Sequence, residues 1–435
     1  MNTAIVTLLG VGLLASSLSI ASNHDMTDDL LLDDDMDFLA ADAFEVVFAA
    51  EKPPSLLRTL GFSVQETLGW SKNNAALFTH QTTANAKWAG GLSPSWYLEW
   101  DASAAAQWPV TPLMATSETS TASEFNINTL YVQYSVGPIS AKVGHYSIGW
   151  GELEGAGVLD IINPAPDLTQ GNPSAGDNGQ WLASGRFYGD QWELSGFYTI
   201  DPELTDMSAA GFPAPTIDDP EWGLRLGTQI SGSDVSLYVG QFVEDTPILD
   251  LMTTSTAANS YALVGIAANK AVGNWLFKTD IAKKSGLSLY SNAAPTLTKS
   301  FDRVDYGVGV EYNATSGQQY GATVYGRQWR DMDGVSGALA LSMIAPPAIT
   351  PAMDMEAGAM LRFSDSYLND DLSFTLMSTG DLSGAMVMLS TAWGYRVNDQ
   401  WSGELNLTTA KANADSMYAA FDGEVLAVFS VKWQY

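Results

Sequence analysis

The chain has 435 residues and is 46% hydrophobic, which excludes a disordered protein and leaves room for one large folded body. Lys and Arg number 19 against 49 Asp and Glu, a formal net charge of −30, so binding to a phosphate backbone is disfavoured and nucleic acid is excluded as a partner. There is no cysteine, and the three histidines, His24, His80 and His145, lie far apart, so disulfides, thiol chemistry and a histidine metal motif are excluded; no cofactor and no metal are expected.

Residues 4–15 form a short apolar run, followed by small residues that end in Ser19-x-Ala21, the pattern of a signal-peptidase site. Residues 1–21 are therefore expected to be a signal peptide, with the mature chain starting near Ser22, although no Lys or Arg precedes the run. No later stretch supplies about 18 consecutive apolar residues, which excludes a helical membrane protein.

Residues 22–55 form a separate segment in which Asp25, Asp28, Asp29, Asp33, Asp34, Asp35, Asp37, Asp42, Glu45 and Glu51 face Lys52 alone. Leu32, Met36, Leu39, Ala43 and Val47 recur at three- and four-residue steps, a helical stripe. The segment reads as an acidic periplasmic tail, either a dock or plug for a periplasmic partner or the barrel mouth, or a leader that keeps the precursor soluble.

Residues 56–435 run in segments of about ten with apolar side chains at every second position, the period of a two-faced strand. Val304, Tyr306, Val308, Val310 and Tyr312 share one face, with Arg303, Asp305, Gly307, Gly309 and Glu311 on the other. Trp222, Leu224, Leu226 and Ile230, and later Trp401, Gly403, Leu405 and Leu407, repeat the pattern. Short turns rich in turn formers fall at 92–95, 136–138, 189–190, 231–233, 272–274, 315–317, 367–370 and 397–399. Between them lie longer or variable connections at 71–81, 109–123, 151–178, 202–220, 245–257, 286–301, 331–352, 380–383 and 410–422.

This alternation predicts an all-β fold: a transmembrane antiparallel up-and-down β-barrel of about 18 strands, with 16 as the alternative count, and with both termini periplasmic. The expected location is the outer membrane of a Gram-negative bacterium, in contact with lipid and lipopolysaccharide. Acidic loops suggest divalent cations bridging to lipopolysaccharide phosphates. The C-terminal row Val425, Ala427, Phe429, Val431, Trp433 and Tyr435 resembles the terminal strand signal of outer-membrane barrels, which implies the barrel-assembly machinery as a partner.

The tryptophans sort toward strand ends. Trp70, Trp108, Trp150, Trp181, Trp222 and Trp329 are assigned to an extracellular girdle. Trp88, Trp96, Trp192, Trp275, Trp393, Trp401 and Trp433 are assigned to a periplasmic one, with Trp100 near mid-strand.

Strand phase assigns the acidic residues Glu99, Asp101, Glu193, Asp280, Asp305, Glu311 and Glu404 to the lumen, together with the basic residues Lys142, Arg186, Arg225, Lys278, Arg303 and Arg327. The two signs nearly balance, which argues against a strongly charge-selective pore. Each is either a paired wall residue or a solute contact.

Around the fifth strand, Trp150-Gly151-Glu152 is followed by Asp160-Ile161-Ile162-Asn163-Pro164 and Asp167. This motif resembles a Gram-negative outer-membrane family classed as a domain of unknown function, whose members are often encoded beside resistance-nodulation-division exporters and a periplasmic lipoprotein-like partner. The loop reads either as an inward constriction that binds solute or as a structural Asn-Pro turn beside a girdle tryptophan. Residues 331–352 form a second candidate lid. His145-x-Ser147-x-Gly149 resembles the catalytic stretch of outer-membrane phospholipase A, with Ser147 as nucleophile and His145 as base, but no orienting Asn is assigned and no covalent chemistry is expected.

The expected function is an outer-membrane, porin-like channel or transport component for small or amphiphilic solutes. The alternative is a non-conducting barrel that serves as the outer-membrane partner of an envelope export or lipid-transfer assembly.

Overall fold

The computed structural model describes residues 60–111, 119–153, 157–163, 179–199, 202–204, 217, 219–245, 248–250, 255–290, 298–330, 355–414 and 419–435. The expected signal peptide, the acidic tail, Pro164, Asp167 and the 331–352 lid lie outside the described residues.

Eighteen strands form one sheet. They are β1 (Gly61–Ser71), β2 (Ala76–Ser93), β3 (Trp96–Gln107), β4 (Ala122–Val136), β5 (Ile139–Tyr146), β6 (Gln180–Tyr188), β7 (Trp192–Thr199), β8 (Glu221–Ile230) and β9 (Ser233–Val243). The second half comprises β10 (Ser260–Val272), β11 (Trp275–Tyr290), β12 (Thr298–Asn313), β13 (Gln319–Trp329), β14 (Met355–Tyr367), β15 (Leu372–Asp381), β16 (Met386–Asn398), β17 (Trp401–Ala412) and β18 (Val425–Gln434). Each strand pairs antiparallel with its neighbours in sequence, and β1 pairs with β18 from Ser63↔Gln434 to Ser71↔Leu426, so the sheet closes on itself. Closure leaves no edge with unpaired backbone groups. A ribbon of Ile248–Asp250 with Ser255–Ala257 sits in the connection between β9 and β10.

All eight expected short turns close hairpins at one end of the barrel. At the β8–β9 turn Ser231 and Gly232 both take positive φ (53° and 73°), the mirror-image turn whose twist matches that of the flanking strands. Both ends of the barrel chain meet at this same end, where Tyr435 donates its backbone N–H to the Phe62 carbonyl.

Two of the nine longer connections are much tighter than expected, and a third is displaced. The 71–81 connection shrinks to residues 72–75, because Leu77 and His80 continue the ladder opposite Trp70 and Leu68. The 286–301 connection shrinks to 291–297, because β11 and β12 pair up to Tyr290↔Thr298, across an irregularity between Ser285 and Leu287. The 380–383 connection keeps its four residues but lies two residues later, at 382–385.

The outer face follows the predicted phase. Val308, Leu405 and Phe429 all point outward, with large exposed surfaces. Near the short-turn end an aromatic belt runs strand to strand: Trp275 to Tyr312 (4.6 Å), Tyr312 to Tyr320 (6.2 Å), Tyr320 to Phe363 (5.1 Å), Phe363 to Phe374 (6.1 Å) and Phe374 to Trp393 (4.3 Å). Trp96, Trp192 and Trp401 extend it, while Trp88 lies opposite Trp100, four residues along β3 from Trp96. At the long-loop end Trp70, Trp108 and Trp181 are exposed as expected.

Two girdle assignments are corrected. Trp150 is buried inside the barrel, because the loop that carries it folds inward. Trp329 falls on the lumen face of β13, where its ring lies 5.0 Å from the Arg303 guanidinium.

The buried core is on the lumen side of one wall. It joins Tyr131, Tyr146, Leu182, Phe197, Tyr238, Phe242, Tyr261, Leu263, Ala267, Ala282 and Leu287 to Trp150, Leu153, Val158, Leu159 and Ile162 of the β5–β6 connection.

Candidate functional site

The inward loop starts where β5 ends and rests on glycines. An added Cβ at Gly223 of β8 would lie 2.2 Å from the Trp150 ring, and one at Gly265 of β10 would lie 2.5 Å from the Leu159 side chain. At Gly307 of β12 it would come within 2.5 Å of Leu153. These lumen positions lack side chains where the loop needs grooves. The Trp150 ring then packs on Phe197 (5.3 Å), Tyr238 (5.1 Å) and Phe242 (5.8 Å).

Polar anchors fix the loop's register. Asp280, on the lumen face of β11 and 1% exposed, accepts the backbone N–H groups of Glu152 (3.0 Å) and Leu153 (3.1 Å). Gly151 sits against this carboxylate with φ at +86°, a conformation a side chain would strain. Glu152 accepts from the Asn269 amide at 2.7 Å. Asn163 closes the loop on itself: its Oδ1 accepts the Ile148 N–H (2.8 Å) and its Nδ2 donates to the Ile148 carbonyl (3.0 Å). Gln180 donates to the Ile162 carbonyl at 2.6 Å. Of the motif, Trp150, Gly151, Glu152 and Asn163 thus act in docking and closing the loop, and Asp160 lies in the same docked segment.

Every one of the assigned lumen charges falls on the inner face, because each stands opposite an inner-face residue of the neighbouring strands. They are not all brought together. Near the short-turn end Glu193 meets Arg186 (3.3 Å) and Arg225 (3.6 Å). Lys278 meets Glu311 at 2.7 Å. Glu99 accepts from the Tyr131 hydroxyl (2.5 Å), and the Lys142 ammonium lies over the Tyr131 and Tyr146 rings at 3.8 and 4.5 Å. Asp101 accepts from Asn85 and Asn128, each at 2.6 Å. Glu404 stands apart on β17 and accepts from Asn406 at 2.7 Å.

Toward the long-loop end a buried network joins Arg303 to Asp305 (2.8 and 3.0 Å), Lys284 to Asp305 (3.1 Å) and Arg303 to Glu244 (3.2 Å), with Arg327 opposite Asp305 in the ladder. Glu244 lies one residue beyond β9. Burial opposes its charge, but Arg303, Lys284 and Arg327 outweigh that and hold the carboxyl down at about 2.

The sequence reading missed Lys284, Glu244 and Glu221. Lys284 was legible, since it shares the even-numbered phase of Lys278 and Asp280 on β11. Glu221 is buried at the head of β8, where it accepts the Val243 N–H at 2.8 Å. It carried no signal, because a strand's first residue has little phase to read.

The phospholipase-like stretch is not assembled. His145 does lie on the outer face, opposite Leu130 and Trp181. Its Nδ1, however, faces the Asn128 carbonyl (3.3 Å) and its Nε2 lies 3.9 Å from Glu203, while Ser147 falls beyond the end of β5. Among the described residues no group of three or more His, Asp or Glu side chains is placed to hold a metal ion.

No protein-family model matches this chain, and no curated protein matches it in sequence. Solved structures do resemble it. Acinetobacter baumannii OccAB3 aligns over 86% of this chain and 98% of its own, at 11% identity and a TM-score of 0.50. Pseudomonas aeruginosa OpdK with vanillate aligns over the same shares at 9% identity and a TM-score of 0.52. Pseudomonas aeruginosa OccK2 in complex with glucuronate aligns over 86% of this chain and 97% of its own, at 10% identity and a TM-score of 0.50. At these identities the likeness establishes a shared barrel fold.

Proposed function

We propose that this chain is an integral outer-membrane barrel that acts as a porin-like channel for small or amphiphilic solutes. The observation that carries the reading is the combination of a closed sheet, apolar and belted by aromatics outside, with a charged lumen narrowed by an inward-folded loop. Hydrocarbon offers the backbone no hydrogen-bond partners, and a closed sheet needs none. An 18-stranded barrel is wide enough for an aqueous path, and a docked loop sets its width.

The lumen charges are proposed as solute contacts where they border that path. The Arg186–Glu193–Arg225 and Lys278–Glu311 groups hold both signs close together, which supports weak overall ion selectivity. Vanillate and glucuronate occupy two of the structurally similar proteins, so small carboxylates of that kind are the first solutes to test here. The outer wall is read as contacting lipid and lipopolysaccharide. The terminal strand ending at Tyr435 is read as the segment that the barrel-assembly machinery engages, and the acidic tail as a periplasmic dock. The motif resemblance adds a link to resistance-nodulation-division exporters.

The test is single-channel conductance of the refolded mature protein in a planar bilayer. A steady step with weak selectivity is expected. A silent but folded barrel would overturn the channel reading in favour of an occluded partner of an export or lipid-transfer assembly, to be sought by co-purification with and without residues 22–52.

A further inference from the structure

Half a turn around the 18-stranded ring from β11 stands β2. The docked loop is centred on the β11 side, with Leu159 on Gly265 of β10, Leu153 on Gly307 of β12 and the Asp280 anchor on β11 between them. A solute that passes the loop therefore passes along the inner wall of β1, β2 and β3. Strand pairing fixes what that wall presents.

Inner positions 63, 65 and 67 of β1 stand opposite 85, 83 and 81 of β2, and these stand opposite 103, 105 and 107 of β3. Eight of these nine side chains end in an amide or a hydroxyl, the ninth is Ala105, and none is charged. The wall on the loop side is the reverse. Lys278, Asp280 and Lys284 of β11, Arg303 and Asp305 of β12 and Arg327 of β13 share its inner face, and Lys278, Lys284 and Arg303 meet carboxylates there at 2.7, 3.1 and 2.8 Å.

The uncharged block opens on the lumen, since Gln65, Gln81, Thr83, Asn85, Ser103 and Gln107 are all partly exposed. Gln65 Nε2 donates to the Thr67 hydroxyl at 3.3 Å, and Asn85 Nδ2 donates to Asp101 at 2.6 Å. Each of these bonds takes one of an amide's two N–H groups, and the amide carbonyl brings two lone pairs besides. Donors and acceptors thus stand side by side at the spacing of adjacent strands, about 4.8 Å. The next row toward the short turns sets Lys87 opposite Asp101, one charge of each sign, so the wall gains no net charge there.

A hydroxyl both donates and accepts, so a solute that carries one on most of its carbons finds a partner of either sense wherever it touches this block. An ion squeezed between loop and block sheds water without meeting a net countercharge, and an apolar solute leaves the amides unpaired. We propose that the β1–β3 inner wall is a contact site for uncharged polyhydroxylated solutes, neutral sugars above all. The inference rests on the channel reading above and names a solute class for it: this wall, rather than the charge pairs on the loop side, discriminates among solutes.

Glucose and glucuronate share a ring and differ by one carboxylate, which makes them the discriminating pair. The protein is extracted from the outer membrane, its fold is read by heat-shifted gel mobility and its conductance in planar bilayers, and it is reconstituted in proteoliposomes held at zero membrane potential. Labelled glucose is expected to enter faster than labelled glucuronate. Gln81→Met and Thr83→Val nearly keep side-chain volume and remove hydrogen bonds, and each should slow glucose about fivefold relative to glucuronate, the loss of about one hydrogen bond at the wall. Thr375→Val removes the same hydroxyl from the inner face of β15, outside the block, and should leave the ratio unchanged. A conducting channel that takes glucuronate as fast as glucose, a glucose rate indifferent to both block variants, or an equal slowing by Thr375→Val would each overturn the proposal. A folded barrel without conductance would overturn the channel reading and this inference with it, and the bilayer trace tells that failure from the others.

Discussion

Asp280 is the one charged anchor of the docked β5–β6 loop that accepts two of its backbone N–H groups, and Asp280→Ala isolates it. In the intact protein the Asp280 carboxylate accepts two backbone N–H groups, from Glu152 and Leu153, at a site closed to solvent. Truncation leaves both donors without their acceptor. A buried donor stripped of its partner costs about 1–3 kcal/mol, and bonds to a charged acceptor fall at the upper end. Two such losses, partly offset because the buried carboxylate's own desolvation cost is removed with it, weaken docking by about 3 kcal/mol, on the order of a hundredfold in the ratio of docked to undocked loop. The apolar anchors Trp150, Leu153 and Leu159 remain, so the loop should still dock but leave its place often enough to register. In planar bilayers the variant should show a larger or flickering conductance, with the heat-shifted mobility of a folded barrel retained. Asp101→Ala is the control, because Asp101 is a lumen carboxylate whose partners, Asn85 and Asn128, belong to the wall. Conductance and noise in Asp280→Ala equal to wild type would refute the constriction reasoning.

Gly223→Val tests the same loop from its apolar side: the new side chain collides with the Trp150 ring, so conductance should shift in the same direction as for Asp280→Ala, whereas an unchanged trace would mean that Trp150 does not set the width. Glu244 has a depressed carboxyl, so its contribution is fully present above the ordinary carboxylate range and is lost only as pH falls through about 2. Thermal unfolding in detergent should therefore show Glu244→Gln destabilised to a similar extent at pH 7 and pH 5, with the gap narrowing toward pH 2.5; a gap already closed at pH 5 would contradict the assignment. Intact mass of the protein from outer membranes should correspond to a chain starting near Ser22, and retention of residues 1–21 would refute the processing reading.

The barrel was legible because its two solvents impose opposite demands on alternate residues. Arg303, Asp305 and Glu311 must avoid the outer face for the same reason that Val304, Val308 and Val310 must avoid the lumen, and a two-residue period cannot slip without exchanging them all. Turn chemistry at Ser231–Gly232 and its seven counterparts then supplied the connectivity. Loop ends were read less well. Leu77 and His80 carry no turn signal, yet the chain around them looks irregular until β1 is laid beside it, so the sequence alone starts β2 later than Ala76.

Phase also explains which parts of the site were hidden. A period-two reading places a charge inside or outside but does not say how far around the circumference its neighbours lie. It could not join Glu244, on a loop, to Arg303 three barrel strands later, nor lay Gly223, Gly265 and Gly307, from three separate strands, under one loop. Trp150 was misassigned for a related reason: at a strand end a tryptophan at the interface and a tryptophan folding inward have the same local sequence. What separates them is the glycine opposite, and the glycines at 223 and 240 become informative only once β8 and β9 are known to pair there. Glu66 was hidden by the same rule. Its own phase, shared with Phe62, Leu68 and Trp70, already placed it outside, where a carboxylate is not looked for.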